Sequence, residues 1–268
     1  MGSTSLLATW SDIRKPVIGM LHLPALPGSP LYGGEMEGLR ENLLRDAKVL
    51  VENGVHGLMM ENFGDVPFYP GRVPACTIAQ ITALAVEVRR AHPDVPLGIN
   101  VLRNDGLSAL AIAHSVGAQY IRVNVLCGAR VTDQGVIQGI AHDLLRERKL
   151  LGAESVKIFA DVDVKHSAAL AARPLVDEVD DTLHRGLADA LVVSGAGTGK
   201  PTDLEKLKVI KRAAGEVPVL IGSGITAETI GNYLEEADGF IVGTYFKVGG
   251  EAMKPVEARR VRAVMERV

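Results

Sequence analysis

The chain has 268 residues, 47% of them hydrophobic, with a formal charge of -3 and a pI near 6.2. That length suits one core of the size found in eight-fold β/α barrels, about 250 residues. A weakly acidic balance with no lysine-arginine cluster gives no basic field for a nucleic-acid backbone or an anionic lipid surface, and points instead to a small ligand or a protein partner. Cys76 and Cys127 lack any C-x-x-C or Cys/His spacing, so neither a disulfide framework nor structural zinc is expected, and the compartment is read as reducing and cytoplasmic. The opening residues carry no cationic leader pattern, and no apolar run approaches the roughly 18 residues of a membrane span. Peripheral membrane association stays open.

Eight runs rich in Val and Ile recur along the chain: "VIGMLHL" from Val17, "GLMMENF" from Gly57, "PLGINVL" from Pro96, "YIRVNVLCG" from Tyr120, "KIFADVDVKH" from Lys157, "ALVVSGAG" from Ala190, "PVLIGSGI" from Pro218 and "GFIVGTYFK" from Gly239. Continuous apolar runs of this kind mark parallel strands buried on both faces. Between them lie amphipathic stretches. In "EGLRENLLRDAKVLVENG", Leu39, Leu43, Leu44, Ala47, Leu50 and Val51 share a face and Gly54 supplies the stop. Asp105 reads as the cap of "GLSALAIAHSVG", and Thr202 with Glu205 reads as a capping box ahead of "LEKLKVIKRAAG". No linker or internal repeat divides the chain. The expectation is therefore one domain over residues 1–268, a single (β/α)8 TIM barrel with residues 1–14 as an N-terminal extension. An open doubly wound sheet is the alternative, disfavoured by the count of eight and by the glycine-rich ends of the last runs.

Active sites of parallel barrels lie at the carboxyl ends of the strands, so polar residues closing apolar runs are the informative ones. His22 closes the first run, ahead of an exit stiffened by Pro24, Pro27 and Pro30; Glu61 and Asn62 close the second, Asn100 the third, and Arg122 and Asn124 punctuate the fourth. Ser194 closes the sixth. In the fifth, strand alternation places Asp161, Asp163 and Lys165 on one face, expected to point into the barrel mouth. A carboxylate beside an ammonium serves proton abstraction, with the lysine polarising a carbonyl or forming a Schiff base. Glu61, Asp163, Lys165, His22 and Asp161 are thus the catalytic candidates, and Asn62, Asn100, Arg122, Asn124 and Ser194 the groups that would hold substrate. The competing reading is an ion-pair layer across the barrel interior, with Arg122 either an anion clamp or a partner of Asp161 or Glu61. His166, of opposite parity to Lys165, reads as a loop residue.

The seventh run ends in "GSGIT" and the eighth in "GTYFK". Gly222, Ser223, Gly224, Gly243 and Thr244 form two corners where bare amides meet a phosphate, helped by the positive end of a helix expected after Gly224. The competing reading is that the glycines only permit tight turns. "SGAGTGKPT" is not a nucleotide-triphosphatase loop, because Ser194 replaces its first glycine and Pro201 its magnesium-binding hydroxyl. Gly195, Gly197 and Gly199 instead suggest a loop closing over a ligand, with Thr198 or Lys200 touching it. No cofactor is expected, and no H-x-H or H-E-x-x-H spacing supports a divalent metal among His22, Glu61, Asp163 and His166. The partner is a phosphorylated small molecule, not nucleic acid; a homo-oligomer is open.

Taken together, "GMLHLPALPGSP", "ENFGDVPF", "INVLRND", "IRVNV", "FADVDVKHS", "LVVSGAGTG" and "LIGSGIT" resemble the BtpA/SgcQ family from about Lys15 to Phe246. The resemblance implies a TIM barrel of the ribulose-phosphate-binding group. It also implies two different functions: photosystem I biogenesis or stability in cyanobacteria, and sugar catabolism in other bacteria. It supplies no established reaction, so the roles above rest on the residues.

Overall fold

The structure is a computed structural model that describes residues 6–195, 197 and 200–268. Each of the eight apolar runs forms a barrel strand. They are β1 (Val17–His22), β2 (Gly57–Glu61), β3 (Leu97–Asn100), β4 (Tyr120–Val123), β7 (Lys157–Val162), β9 (Ala190–Val193), β10 (Val219–Ile221) and β11 (Gly239–Val242). All pair in parallel and close in the order β1-β11-β10-β9-β7-β4-β3-β2, so the alternative open sheet is excluded.

Two-sided burial explains why the strands read as unbroken apolar runs. Residues such as Leu21, Leu58, Ile99, Ile121 and Ile158 face an outer shell shared with the helices, while Ile18, Met20, Met59, Phe159, Val192, Leu220 and Ile241 fill the inside of the barrel. The helices are α1 (Met36–Glu52), α2 (Ala75–Ala91), α3 (Gly106–Val116), α4 (Ala141–Leu150), α5 (Leu175–Asp180), α6 (Leu204–Ala214) and α7 (Ala258–Met265). Part of the N-terminal extension packs into the barrel floor: Trp10 is buried against Tyr120, with ring centroids 5.9 Å apart, and its Nε1 donates to the His56 carbonyl at 2.7 Å.

The helix starts test the capping arguments. Asp105 caps α3, its carboxylate accepting from the Ser108 amide. At α6 the cap lies one residue later than expected: Asp203, not Thr202, accepts from the Glu205 and Lys206 amides. A carboxylate at this position also faces the helix dipole, which favours it over a hydroxyl. After Gly224 there is no α-helix. The chain makes a 3-10 turn at Ile230–Tyr233 before β11, so a helix dipole contributes nothing to that corner.

One element carried no expectation. Strands β5 (Ala129–Thr132), β6 (Gly135–Gln138) and β8 (Ser167–Ala169) form a three-stranded antiparallel sheet, in the order β6-β5-β8, from the loops after β4 and β7. It stands beside the mouth and supplies Arg130 and Asp133 to its surroundings.

Candidate active site at the barrel mouth

Two cavities open at the carboxyl ends of the strands and share a wall formed by Glu61, Phe63, Arg122 and Lys165. The smaller, about 190 Å³, lies under β1, β10 and β11, where Met20, His22 and both glycine corners line it. The larger, about 650 Å³, extends toward β3 and the proline exit of β1, with Phe63, Val66, Phe68, Leu102 and Met253 as apolar walls. Glu61 accepts from the Asn100 amide nitrogen at 2.5 Å. Asn100 is thus fixed one strand away as a donor that orients the carboxylate. The ring of His22 stacks on Phe63 at 4.5 Å, holds its Nδ1 3.1 Å from the Ala252 carbonyl, and keeps Nε2 4.0 Å from Glu61.

Burial pushes His22 down to about 4, against the pull of Glu61 in the other direction, so the imidazole is neutral at physiological pH. The unfolded chain takes up a proton near the ordinary value of 6.5 and the native ring does not, so the folded state loses stability as pH falls from 6.5 toward 4 and the effect saturates below that. At 1.36 kcal/mol per pKa unit the interval is worth roughly 3 kcal/mol. Urea unfolding at pH 7, 5 and 4 should show a shallower acid loss in His22→Gln than in the parent; parallel losses would mean that the ring is hydrated.

Arg122 and Asp161 resolve the question left open about the barrel interior. Arg122 Nε and Nη2 bind Asp161 Oδ1 at 3.0 and 2.9 Å, Asn124 donates to Oδ2 at 2.5 Å, and Ser194 Oγ lies 3.4 Å from Nη2. Burial opposes the guanidinium's charge, but Asp161 and then Glu61 outweigh it and leave the pKa raised. These residues form the ion-paired layer beneath the mouth, and Arg122 still lines both cavities. The carbonyl oxygen of the Asn124 side chain is buried without a partner among the described residues.

The fifth strand departs from simple alternation. β7 ends at Val162, and the chain turns through left-handed conformations at Asp163 (φ 49°) and His166 (φ 56°). Asp163 is thereby swung away from the mouth onto the outer elements, where it pairs with Arg130 of β5 and with Lys206 of α6 at 2.6 Å. The expectation that it shares a face with Asp161 and Lys165 fails for this reason. Burial raises the Asp163 carboxyl but Lys206 and Arg130 more than offset it, so its pKa is lowered. Lys165, in contrast, lines both cavities, and burial, reinforced by Arg122 nearby, lowers its pKa against the pull of Glu61 and Asp161. Asn62 is also outside the mouth. It accepts from the Leu102 amide at 2.7 Å and donates to Asp65, tying the loops after β2 and β3 together.

The glycines of the two corners meet the protein itself. A Cβ on Gly222 would lie 2.5 Å from Val192 and 3.1 Å from the Arg122 guanidinium; on Gly243 it would lie 2.8 Å from the His22 ring; on Gly224 it would strike the Lys200 carbonyl at 2.1 Å. Close packing alone therefore demands these glycines. The corners still present donors: among the described residues the amides of Ser223, Gly224, Thr244 and Tyr245 bind no acceptor, and all four residues line the smaller cavity. The Ser223 hydroxyl accepts from the Gly195 amide at 3.0 Å, joining the β9 and β10 loops. Thr198 and Gly199, assigned above to a closing loop, lie outside the described residues. No group of three or more His, Cys, Asp or Glu among the described residues could hold a metal ion.

The closed parallel barrel is a (β/α)8 fold, and charged side chains and amide-lined corners collect at the carboxyl ends of its strands as a candidate site. Solved structures share that fold. N-(5'-phosphoribosyl)anthranilate isomerase from Pyrococcus furiosus is 13% identical with a TM-score of 0.57, covering 94% of this chain and 98% of its own, and 3-hexulose-6-phosphate synthase from Salmonella typhimurium is 16% identical with a TM-score of 0.57, covering 94% and 100%. The chain belongs to the BtpA family, whose model matches residues 13–268. An uncharacterized protein of Thermococcus kodakarensis is 48% identical over 94% of this chain and 95% of its own length, and the photosystem I biogenesis protein BtpA of Synechocystis is 45% identical over 94% and 88%.

Proposed function

We propose that the protein is an enzyme acting on a phosphorylated sugar or a related phosphometabolite, by proton transfer beside a carbonyl or by carbon-carbon cleavage. The observation that carries this reading is the convergence of Lys165, Glu61 and neutral His22 on the cavity lined by the β10 and β11 corners, whose amides bind no acceptor among the described residues. Those amides grip the phosphate end. Glu61, oriented by Asn100, takes the proton α to the carbonyl, and Lys165 stabilises the developing oxyanion as an ammonium or forms a Schiff base as an amine. His22, beside Glu61 and uncharged, relays the proton to or from a sugar hydroxyl. Holding the phosphate fixes the reacting carbon between these groups. Asp163 drops out of the mechanism because it faces Lys206 and Arg130.

Thermal denaturation with a panel of phosphosugars tests the reading. A ligand at 100 times its Kd stabilises by about 2.7 kcal/mol, and Thr244→Glu, which sets a carboxylate at the corner, should abolish the shift; a panel without any shift, inorganic phosphate included, would sink it. The second reading, a photosystem I biogenesis factor that uses the barrel as a scaffold, draws on the name of the Synechocystis relative and on the exposed apolar side chains Val131, Val136 and Leu170 on and beside the three-stranded sheet.

A further inference from the structure

Three arginines are buried among the described residues: Arg103, Arg122 and Arg130. Arg122 is matched by Asp161, and Arg130 by Asp163 and Glu178. Among the described residues Arg103, only 4% exposed, has no carboxylate at ion-pair distance, and its side chain makes one hydrogen bond, from Nη2 to the Lys165 carbonyl at 2.6 Å. It lines the larger cavity. A buried guanidinium left unmatched is costly, because low-polarity surroundings replace the hydration of the charge. The carboxylates around that cavity do not supply the match: Asp161 is spent on Arg122, Glu61 is held by Asn100, and Asp133 stands exposed at the turn between β5 and β6. The walls are mostly apolar, so an anion brought there meets weakened screening.

We propose that Arg103 anchors a second oxyanion of the ligand, a carboxylate or a second phosphate, so that the substrate spans the mouth with one anionic group at the β10 and β11 corners and the other in the larger cavity. This rests on the phosphosugar reading above and narrows it to doubly anionic substrates. The planar fork of a guanidinium suits either oxyanion in a two-point contact. Lys165 and Glu61, which line both cavities, then stand over the middle of the molecule, where the reacting carbon lies.

Calorimetry with fructose 6-phosphate, fructose 1,6-bisphosphate and 6-phosphogluconate tests this. The doubly anionic probes should bind the parent at least about ten times more tightly than fructose 6-phosphate, and Arg103→Gln should lose that preference while keeping its affinity for fructose 6-phosphate. Whichever doubly anionic probe binds better identifies the second oxyanion. Ligand-free Arg103→Gln should be no less stable than the parent, since the variant removes an unmatched charge; a clear loss of stability would make Arg103 a structural strut and overturn the proposal. A preference absent from the parent, or unchanged in Arg103→Gln, would also overturn it. If no sugar phosphate binds, the phosphosugar reading fails separately, and malonate decides the rest: stabilisation of the parent but not of Arg103→Gln upholds an oxyanion site at Arg103, and no stabilisation of either refutes it.

Discussion

Arg122→Met should cost about 3–5 kcal/mol of unfolding free energy, the largest stability effect of any single substitution at the mouth. The guanidinium sits on β4 beside Asp161 on β7, both side chains are buried, and the contact is two-pronged at 2.9 and 3.0 Å. Methionine fills much of the volume but strands Asp161 with Asn124 as its remaining donor. The penalty is thus the uncompensated carboxylate, not the net value of the pair, which desolvation reduces toward zero. Arg122→Met/Asp161→Asn follows from the same reasoning: with neither charge stranded, more than half of the loss should return, and a double-mutant cycle on urea midpoints measures the coupling. A loss under about 1 kcal/mol for Arg122→Met would mean that water reaches Asp161 and that the layer under the mouth is wet.

That layer marks the boundary between what could be read from the residues and what could not. The barrel was legible because burial on both faces leaves its imprint on every strand: "ALVV" and "GFIV" have no other comfortable home than a closed parallel sheet. The positions of His22, Glu61, Asn100, Arg122 and Asp161 at strand ends followed from the same period. Alternation stops being informative where the strand stops. Asp163 lies one residue past β7, and a left-handed φ there sends its carboxylate outward, an outcome that two-residue counting cannot anticipate. The three-stranded sheet escaped because its strands are three or four residues long and half-exposed; the one local sign was "TDQG", where the Gln134 amide donates to Thr132 and Gly135 takes φ 91°. Arg103 stood inside a quoted motif, "INVLRND", yet carried no sequence signal, since an unpaired arginine differs from a paired one only in three dimensions. The glycine corners show a third kind of limit. The residues were in the right place, but the close contacts with Arg122, His22 and Lys200 that require them are long-range.

Lys165→Met should reduce turnover by at least about 10³-fold while leaving stability unchanged or higher, and Asp163→Ala should do the reverse. Lys165 is half-buried at the mouth, and its lowered pKa records that burial disfavours its charged form, so exchange for an apolar chain of similar length relieves that cost. Asp163 is a surface-side hub: its side chain is 43% exposed, which screens its contacts with Arg130 and Lys206 and limits the loss to about 1 kcal/mol. Its positive φ adds a conformational share, because aspartate tolerates the left-handed region better than alanine. Asp163→Gly should therefore recover part of what Asp163→Ala loses, and turnover should stay within tenfold of the parent in both, by about the margin that positioning effects at a distance allow. The pH profile then assigns the chemical role of Lys165. As pH rises through its depressed pKa, a rate that falls marks the ammonium as the electrophile, and a rate that rises, with borohydride trapping the substrate on the chain, marks the free amine as the nucleophile. Retained turnover in Lys165→Met would remove this lysine from the chemistry and leave Glu61 and His22 as the acid and base candidates of the described mouth.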